Sequence, residues 1–429
     1  ALDDTPVMKL PGIEIGKTGL EAGLDDRLRG KAGWVRREVN ARGQVVRELD
    51  RNDPLHGRDV TITIDRDVQE TVRQHLKPHR SAATVILHAA TGEIAAMVSV
   101  PGYDPAVLAK RISHAKWRRM ARAANHPLID RTIQGQYPPG STFKMVTALA
   151  ALKAGVVSPR SLVRCPGYVE LAGTRFRCWN RSGHGDCNLH RGLRESCDVY
   201  FYTLARRVGI SRIAKMGQAL GLGQTFSIGL ASQQAGLLPD PNWKRGRFGK
   251  PWYDGETLLA GIGQGYVLAT PLQLAVMTAR LMTGRAVAPM LHRPTDGLVP
   301  HAKPLSINGS HLTAIRRAMA AVVNERAGTR RKAQPELDGV TVLGKTGTSQ
   351  VTRLSSSRAR DSLPWHLRDH SMFVGCISDD RPRYVAAVIV EHGGGGGAVA
   401  APLASEILTD VYRADPASQP LPKSERRRA

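Results

Sequence analysis

A serine and a lysine three residues apart, Ser141 and Lys144, are the residues of this sequence best suited to covalent chemistry. The turn Pro138-Pro139-Gly140 precedes them and predicts a helix that begins near Ser141. A serine there lies among free backbone N–H groups that stabilise an oxyanion, and Lys144 would share its helix face. A buried lysine can lose its charge and act as a base. The spacing alone is weak evidence, because a helix cap and a surface lysine give the same pattern.

A second motif, Lys345-Thr346-Gly347-Thr348, follows an apolar alternating run at residues 340–343 that predicts a strand ending at the site. Lys345 and the hydroxyl of Thr346 could hold a substrate carboxylate. Gly347 would let an acyl chain lie close to the backbone, and the N–H of Thr348 would complete an oxyanion hole.

Two segments are candidates for a middle motif. Ser306-Ile307-Asn308 fits Ser-x-Asn literally, but it lies before a predicted helix, where Ser and Asn commonly cap. Ser196-Cys197-Asp198 opens an aromatic helical run and is preferred. Its serine would relay a proton between the two lysines and a leaving amine, and Asp198 would orient that serine.

The sequence contains five cysteines, and three of them lie with a histidine in the segment that runs from the Ser141 motif to the Ser196 motif. Cys165, Cys178, His184 and Cys197 have the spacing Cys-x12-Cys-x5-His-x12-Cys. Three thiolates and one imidazole suit a closed, tetrahedral and therefore structural Zn²⁺ site.

The alternative for these cysteines is a disulfide, Cys165–Cys178 or Cys178–Cys187, with His184 a plain loop residue. Cys187 is otherwise a bystander. Cys376 falls in a predicted strand and is expected to be a buried small residue.

The elements that must position these motifs predict an α+β fold, an antiparallel sheet flanked by helices, with a small N-terminal module. Predicted strands cover residues 35–39, 44–49, 60–64, 82–87, 94–100, 340–343, 372–377 and 384–391. Predicted helices cover 68–76, 144–152, 199–208, 271–281, 312–323 and 403–412. The predicted domains are a module at 1–57, a main domain at 58–413 and a loose tail at 414–429.

The net charge of +24 indicates a cationic surface or attraction to a polyanion. No RNA-binding signature or finger-like spacing supports nucleic acid. The sequence has no run of about 18 apolar residues. It opens with Ala1, so we expect either a soluble protein or one whose anchor lies upstream.

The three catalytic motifs, in this order, resemble the transpeptidase domain of class B penicillin-binding proteins, most closely the elongation-type branch, penicillin-binding protein 2. The resemblance covers nearly all of residues 12–412. Further motifs that carry it are Gly30-Lys31-Ala32-Gly33, Leu49-Asp50-Arg51, Thr63-Ile64-Asp65, Gly261-Ile262-Gly263-Gln264-Gly265-Tyr266, Ala269-Thr270-Pro271 and Val390-Glu391-His392-Gly393-Gly394.

The resemblance implies a D,D-transpeptidase that cross-links the D-Ala-D-Ala ends of peptidoglycan stem peptides and is acylated by β-lactams. It also implies a periplasmic body on a cytoplasmic-membrane anchor and makes the first 57 residues part of a pedestal. That pedestal would contact a membrane glycosyltransferase of the shape, elongation and division type and its scaffold partner. Some members carry a zinc site of mixed Asp, His and Cys ligands, with a cysteine inside the Ser-x-Asp motif.

Three other functions share these motifs or the module. A D,D-carboxypeptidase would resolve the acyl-enzyme with water. A serine β-lactamase or β-lactam sensor would also acylate, but no Glu-x-x-x-Asn loop is evident between the Ser196 motif and the Lys345 motif. A scaffold would recruit partners without chemistry, which the intact Ser141, Lys144 and Lys345 argue against.

Overall fold

The structure is a computed structural model that describes residues 15–109, 112–294, 301–325, 337–352 and 363–415. It divides into two compact units. The first comprises Ala1–Thr63, Ser227–Gln233 and Met290–Val299, and the second comprises the rest of the chain. Within the described ranges, no helix is both long and apolar enough to cross a membrane.

The first unit contains two short helices and a hairpin. Helices α1 (Gly19–Gly23) and α2 (Asp25–Arg29) precede strands β1 (Trp34–Val39) and β2 (Val45–Asn52), which pair antiparallel. Every residue of both strands is exposed. The hairpin predicted at 35–39 and 44–49 is confirmed.

The second unit is built on a five-stranded antiparallel sheet. Its strands are β3 (Ala82–His88), β4 (Ile94–Val100), β9 (Thr341–Ser349), β10 (His370–Ser378) and β11 (Pro382–Val390). Their order in the sheet is β4-β3-β11-β10-β9. The sheet is thus built from the two ends of this unit's sequence, and the sequence between β4 and β9 supplies most of its helices. The predicted α+β class is confirmed.

Helices cover both faces of this sheet. Tyr384, Ala386 and Val388 of β11 pack with α3 (Arg66–Leu76) and α14 (Ala400–Ala414). The alternate residues of β11 are also buried, where α12 (Pro271–Thr283) contacts the sheet. The helices of this unit are α3 (Arg66–Leu76), α4 (Ala106–Ala109), α5 (His114–Ala121), α6 (Lys144–Lys153), α7 (Leu189–Arg194), α8 (Asp198–Val208), α9 (Ile210–Ala219), α10 (Pro241–Phe248), α11 (Asp254–Gly261), α12 (Pro271–Thr283), α13 (Gly309–Asn324) and α14 (Ala400–Ala414).

One strand prediction is wrong, and another gives the wrong end of its strand. Residues 60–64 form no strand, and Ile62 makes only an isolated bridge to His292. Ile62 is 41% exposed, so its apolar alternation does not mark a buried face. The run at 340–343 does not end at the Lys-Thr-Gly motif, because β9 continues through it to Ser349.

Two small sheets were not predicted from the sequence. Strand β5 (Val163–Cys165) pairs with β8 (Gly185–Cys187), and β6 (Tyr168–Leu171) pairs with β7 (Thr174–Arg177). These strands have three or four residues, too few to show a period. They bring the cysteine-rich segment together beside α8.

Candidate active site

Ser141 lies in a tight 3₁₀ turn, Gly140–Phe143, that continues directly into α6. Gly140 has φ +53°, and a Cβ there would lie 2.6 Å from the carbonyl oxygen of Thr348. Its N–H donates to Gly263 O at 2.8 Å. Only glycine permits this backbone conformation and this approach at once. The turn therefore holds the partly exposed Ser141 against strand β9.

Lys144 begins α6 one turn after Ser141 and is fully buried. Its Nζ donates to Asp198 Oδ1 at 2.6 Å, to Ser196 O at 2.9 Å and to Ser196 Oγ at 3.1 Å. The prediction is that Asp198 orients Ser196. In the structure the carboxylate of Asp198 instead accepts a hydrogen bond from Lys144.

Lys345 approaches the same hydroxyl from strand β9. Its Nζ donates to Ser196 Oγ at 3.0 Å and to Thr346 O at 3.1 Å, and the side chain is fully buried. Burial and the charge of Lys144 hold the pKa of Lys345 well below its ordinary value. Ser196 Oγ thus bridges two lysines, one of which readily becomes neutral.

The backbone of Ser196 is strained. Its φ is +54°, in the left-handed region that a serine rarely adopts. Cys197, the next residue, caps α8 by accepting from Tyr200 N through its sulfur. Structure on both sides of Ser196 is therefore needed to hold it in this conformation.

The Lys-Thr-Gly strand forms the opposite wall. Thr346, Gly347 and Thr348 pair with β10, and a Cβ on Gly347 would lie 3.0 Å from Pro139 O in the turn before Ser141. Thr348 O accepts from Gln264 Nε2 at 3.1 Å. The strand and the turn are thus adjacent, as an oxyanion hole between them requires.

The cysteine cluster lies directly behind Ser196. Cys165, Cys178, His184 and Cys197 are all buried, and their ligand atoms lie within 4.8 Å of one another. His184 Nδ1 is 3.6 Å from Cys165 Sγ and 3.5 Å from Cys178 Sγ. Zinc bonds of about 2.3 Å to sulfur and about 2.0–2.1 Å to nitrogen place tetrahedral S and N ligands about 3.6 Å apart. The four residues fit a zinc ion.

The other two cysteines differ in their surroundings. Cys187 is buried, but it is not one of the four residues whose ligand atoms converge. All five cysteines are free thiols in the structure. Cys376 is fully buried in β10, as predicted.

Within the cluster, hydrogen bonds from Cys197 and His184 lower the pKa of the Cys178 thiol, which favours the thiolate form that binds metals.

The alternative middle motif lies away from these groups. Asn308 caps α13, its side chain accepting from Ser310 N at 2.9 Å, and Ser306 O accepts from Lys153 at 2.9 Å. Capping explains Asn308, and Ser196 is the serine that the fold brings to Lys144.

Trp179 is a site residue that the sequence reasoning missed. Its backbone N–H donates to Asp198 Oδ2 at 2.9 Å and its indole N–H to Ser196 O at 3.1 Å, although the side chain is 62% exposed. Its position directly after Cys178 was the available signal. Through Trp179, the cysteine cluster is connected to both residues of the middle motif.

Known proteins are similar to this chain in sequence and in fold. The penicillin-binding protein transpeptidase domain model matches residues 82–409, and the penicillin-binding protein dimerisation domain model matches residues 9–62. The crystal structure of Pseudomonas aeruginosa PBP2 in complex with WCK 5153 is 36% identical, with a TM-score of 0.79, over 93% of this chain and 84% of that one. The chain belongs to the penicillin-binding protein family, in its PBP2 branch.

Other relatives of this PBP2-type chain agree. The peptidoglycan D,D-transpeptidase MrdA of Haemophilus influenzae is 36% identical over 93% of this chain and 63% of the relative, and that of Escherichia coli K12 is 35% identical over 94% and 65%. The chain thus spans just under two thirds of these relatives. The Helicobacter pylori complex between PBP2 and MreC has a TM-score of 0.84 at 29% identity, covering 93% of this chain and 72% of that one.

Proposed function

We propose that this chain is the catalytic part of a peptidoglycan D,D-transpeptidase that works through a Ser141 acyl-enzyme. The observation that carries the proposal is the set of hydrogen bonds that joins Lys144, Ser196 and Lys345 beside the turn of Ser141. The MrdA relatives support the same reaction class.

In the proposed reaction, Ser141 Oγ bonds to the penultimate carbonyl carbon of a D-Ala-D-Ala peptide. Lys144 takes the hydroxyl proton, and the oxyanion is held between the Ser141 turn and Thr348. The C–N bond breaks, and D-alanine leaves with a proton delivered through Ser196. The amine of a second peptide then attacks the ester carbonyl carbon, the bond from that carbon to Ser141 Oγ breaks, and the proton lost by the amine returns to Ser141 Oγ through Lys144.

Lys345 and Asp198 have supporting roles in this scheme. Because the pKa of Lys345 is lowered by burial, its neutral form can take a proton from Lys144 through Ser196. Asp198 Oδ1 accepts a hydrogen bond from Lys144 Nζ at 2.6 Å. Asp198 therefore acts by holding the proposed base in position. Thr346 and Gly347 would line the site for the substrate carboxylate and backbone.

Intact-mass measurement with a β-lactam tests the function. Benzylpenicillin should add its mass to the wild-type chain and leave Ser141→Ala unmodified. A wild type without an adduct would overturn the proposal, and rapid hydrolysis of the drug would identify a β-lactamase. With a D-Ala-D-Ala peptide, release of D-alanine without transfer to an added amine would identify a carboxypeptidase.

We further propose that Cys165, Cys178, His184 and Cys197 hold one structural Zn²⁺. The support is the match of their separations to tetrahedral coordination. A bound zinc would fix Cys197 and thereby the strained Ser196.

Elemental analysis tests the metal. Protein purified without added metal should contain about one zinc per chain. Cys178→Ser should lose it, whereas Cys376→Ser, which alters a buried cysteine outside the cluster, should keep it. A zinc-free wild type with a disulfide found by mass spectrometry would defeat this proposal.

The domain limits, partners and location belong to the proposal as well. We propose a partial pedestal at 1–57, a transpeptidase domain at 58–413 and a tail at 414–429, of which residues 416–429 lie outside the described part. We propose a periplasmic location on an inner-membrane anchor. The PBP2–MreC complex and a peptidoglycan synthase complex of TM-score 0.77 support a scaffold protein and a membrane glycosyltransferase as partners.

A further inference from the structure

The carboxylate of Glu391, the residue directly after β11, gathers three donors from distant parts of the chain. Tyr137 OH donates to Oε1 at 2.8 Å, Arg131 Nε donates to Oε2 at 3.1 Å, and the Ser81 hydroxyl also donates to Oε2. The side chain of Arg131 is 4% exposed and that of Glu391 is 19% exposed. A buried ion pair with this many hydrogen bonds fixes the geometry of its members.

Two of these donors belong to the segment that leads to Ser141. Tyr137 lies four residues before the nucleophile, and its backbone pairs with Ala269 through two hydrogen bonds of 3.0 and 2.9 Å. Arg131 also donates to Asn125 O at 2.7 Å, which organises the loop before it. Glu391 therefore connects the segment that leads into the Ser141 turn, through Arg131 and Tyr137, to the end of β11, the central strand of the sheet.

The chain after Glu391 reaches the other wall of the site. The N–H of Gly396 donates to Thr348 Oγ1 at 3.2 Å. A Cβ at Gly396 would lie 2.1 Å from Gly347 O, so the run of five glycines at Gly393–Gly397, here called the glycine loop, lies directly on β9. Residues 391–396 thus contact both the segment that leads into the Ser141 turn, through Tyr137, and strand β9, through Thr348 and Gly347.

The charge on Glu391 is stable at neutral pH. Burial by itself would raise its pKa, but the hydrogen bonds from Ser81 and Tyr137 and the charge of Arg131 hold that pKa below its ordinary value. The carboxylate is thus a permanent acceptor that does not take part in proton transfer.

We propose that Glu391 is a positioning residue for the acyl transfer: through Tyr137 and Arg131 it sets the distance between Ser141 and the oxyanion strand β9. This inference rests on the proposed acylation of Ser141. Because Glu391 acts through other groups, its loss should slow the chemical step without weakening noncovalent binding or shifting the pH profile.

The test is the kinetics of acylation by benzylpenicillin in Glu391→Gln, which keeps the shape but presents an NH₂ group to donors. We expect the acylation rate constant to fall about 10- to 100-fold at every pH, as misplacement of a reacting group does. The dissociation constant of the noncovalent complex should not change. Tyr137→Phe, which removes one of the three bonds, should show a smaller loss of the same kind.

The matched control is Asp415→Asn at the opposite end of β11. Asp415 also accepts from an arginine and a tyrosine, Arg383 Nη2 at 2.7 Å and Tyr384 OH at 2.8 Å. This variant should lose stability but acylate at the wild-type rate.

Two results would overturn the inference: a folded Glu391→Gln that acylates as fast as wild type, or an equal loss in Asp415→Asn. If Glu391→Gln does not fold, Tyr137→Phe and Ser81→Ala decide by the same criterion. A wild type that benzylpenicillin does not acylate would instead refute the proposed function, so the two failures are distinct.

Discussion

Ser196 Oγ lies about equally far from two lysine nitrogens, 3.1 Å from Lys144 and 3.0 Å from Lys345. Burial of Lys345 and the charge of Lys144 beside it lower the pKa of Lys345, and the single carboxylate, Asp198, only partly opposes this. The site therefore holds a proton that is easily moved. The cost is a buried lysine that lowers the stability of the fold.

That cost predicts a pH-dependent stability difference between Lys345→Met and wild type. Because the pKa of Lys345 is lower in the folded state, the unfolded state binds more protons between the two pKa values, and wild-type stability rises with pH there. Methionine removes this contribution. The free energy of unfolding of the variant, relative to wild type, should therefore decline as pH rises from about 7 to about 10.

Urea denaturation at several pH values measures this difference. Lys345→Gln, which is also neutral, should give the same trend and so separates charge from apolarity. A difference that does not vary with pH would show that Lys345 is not perturbed by burial.

At the scale of elements, the site depends on close backbone contacts that only glycine allows. The Ser141 turn meets β9 at Gly140, and the glycine loop meets it at Gly396. Side chains at these two glycines would push the Ser141 turn and the glycine loop away from β9. The spacing between these elements is therefore set by main-chain contacts rather than by the packing of large side chains. Such contacts leave little room for adjustment.

Gly396→Ala and Gly395→Ala form a matched pair within that loop. A Cβ at Gly396 would lie 2.1 Å from Gly347 O and 2.6 Å from Met372 O, whereas one at Gly395 meets nothing within 4 Å. We expect Gly396→Ala to displace β9 and lower the benzylpenicillin acylation rate about tenfold or more. Gly395→Ala should acylate normally, and equal rates in both variants would contradict this account.

At the scale of the whole molecule, the cysteine cluster joins a segment of short strands to helix α8. Strands β5 to β8 have three or four residues each, and their connection to α8 passes through Cys197. Small irregular segments of this kind often depend on a metal or disulfides for order. We therefore expect zinc to contribute to the stability of the fold as well as to the position of Ser196.

Chelation should reveal this contribution. Removing zinc from wild type should lower Tm by roughly 5–10 °C, because a tightly bound ion stabilises the folded state by several kcal/mol. It should also slow acylation, since Ser196 loses its support. Cys178→Ser should not respond to chelator, and Cys376→Ser should respond as wild type does. An unchanged Tm in zinc-depleted wild type would argue against the structural role.

The sequence by itself determined the order of the catalytic motifs, the class of the fold and the four candidate metal ligands. Ser141 and Lys144 are local, since one helical turn relates them, and the hairpin of β3 and β4 follows from two mostly apolar runs joined by a turn at Gly92. The fold class and the PBP2 resemblance are confirmed.

Only the tertiary structure decided which side chains meet. Lys345 reaches Ser196 across 149 residues and Tyr137 reaches Glu391 across 254, distances along the chain that no local period encodes. The tertiary structure likewise pairs Asp198 with Lys144 and Trp179 with Asp198. It also shows that residues 60–64 do not form the predicted strand. Residue type and spacing state what chemistry is available, but hydrogen bonds between remote segments depend on the packed sheet and its helices.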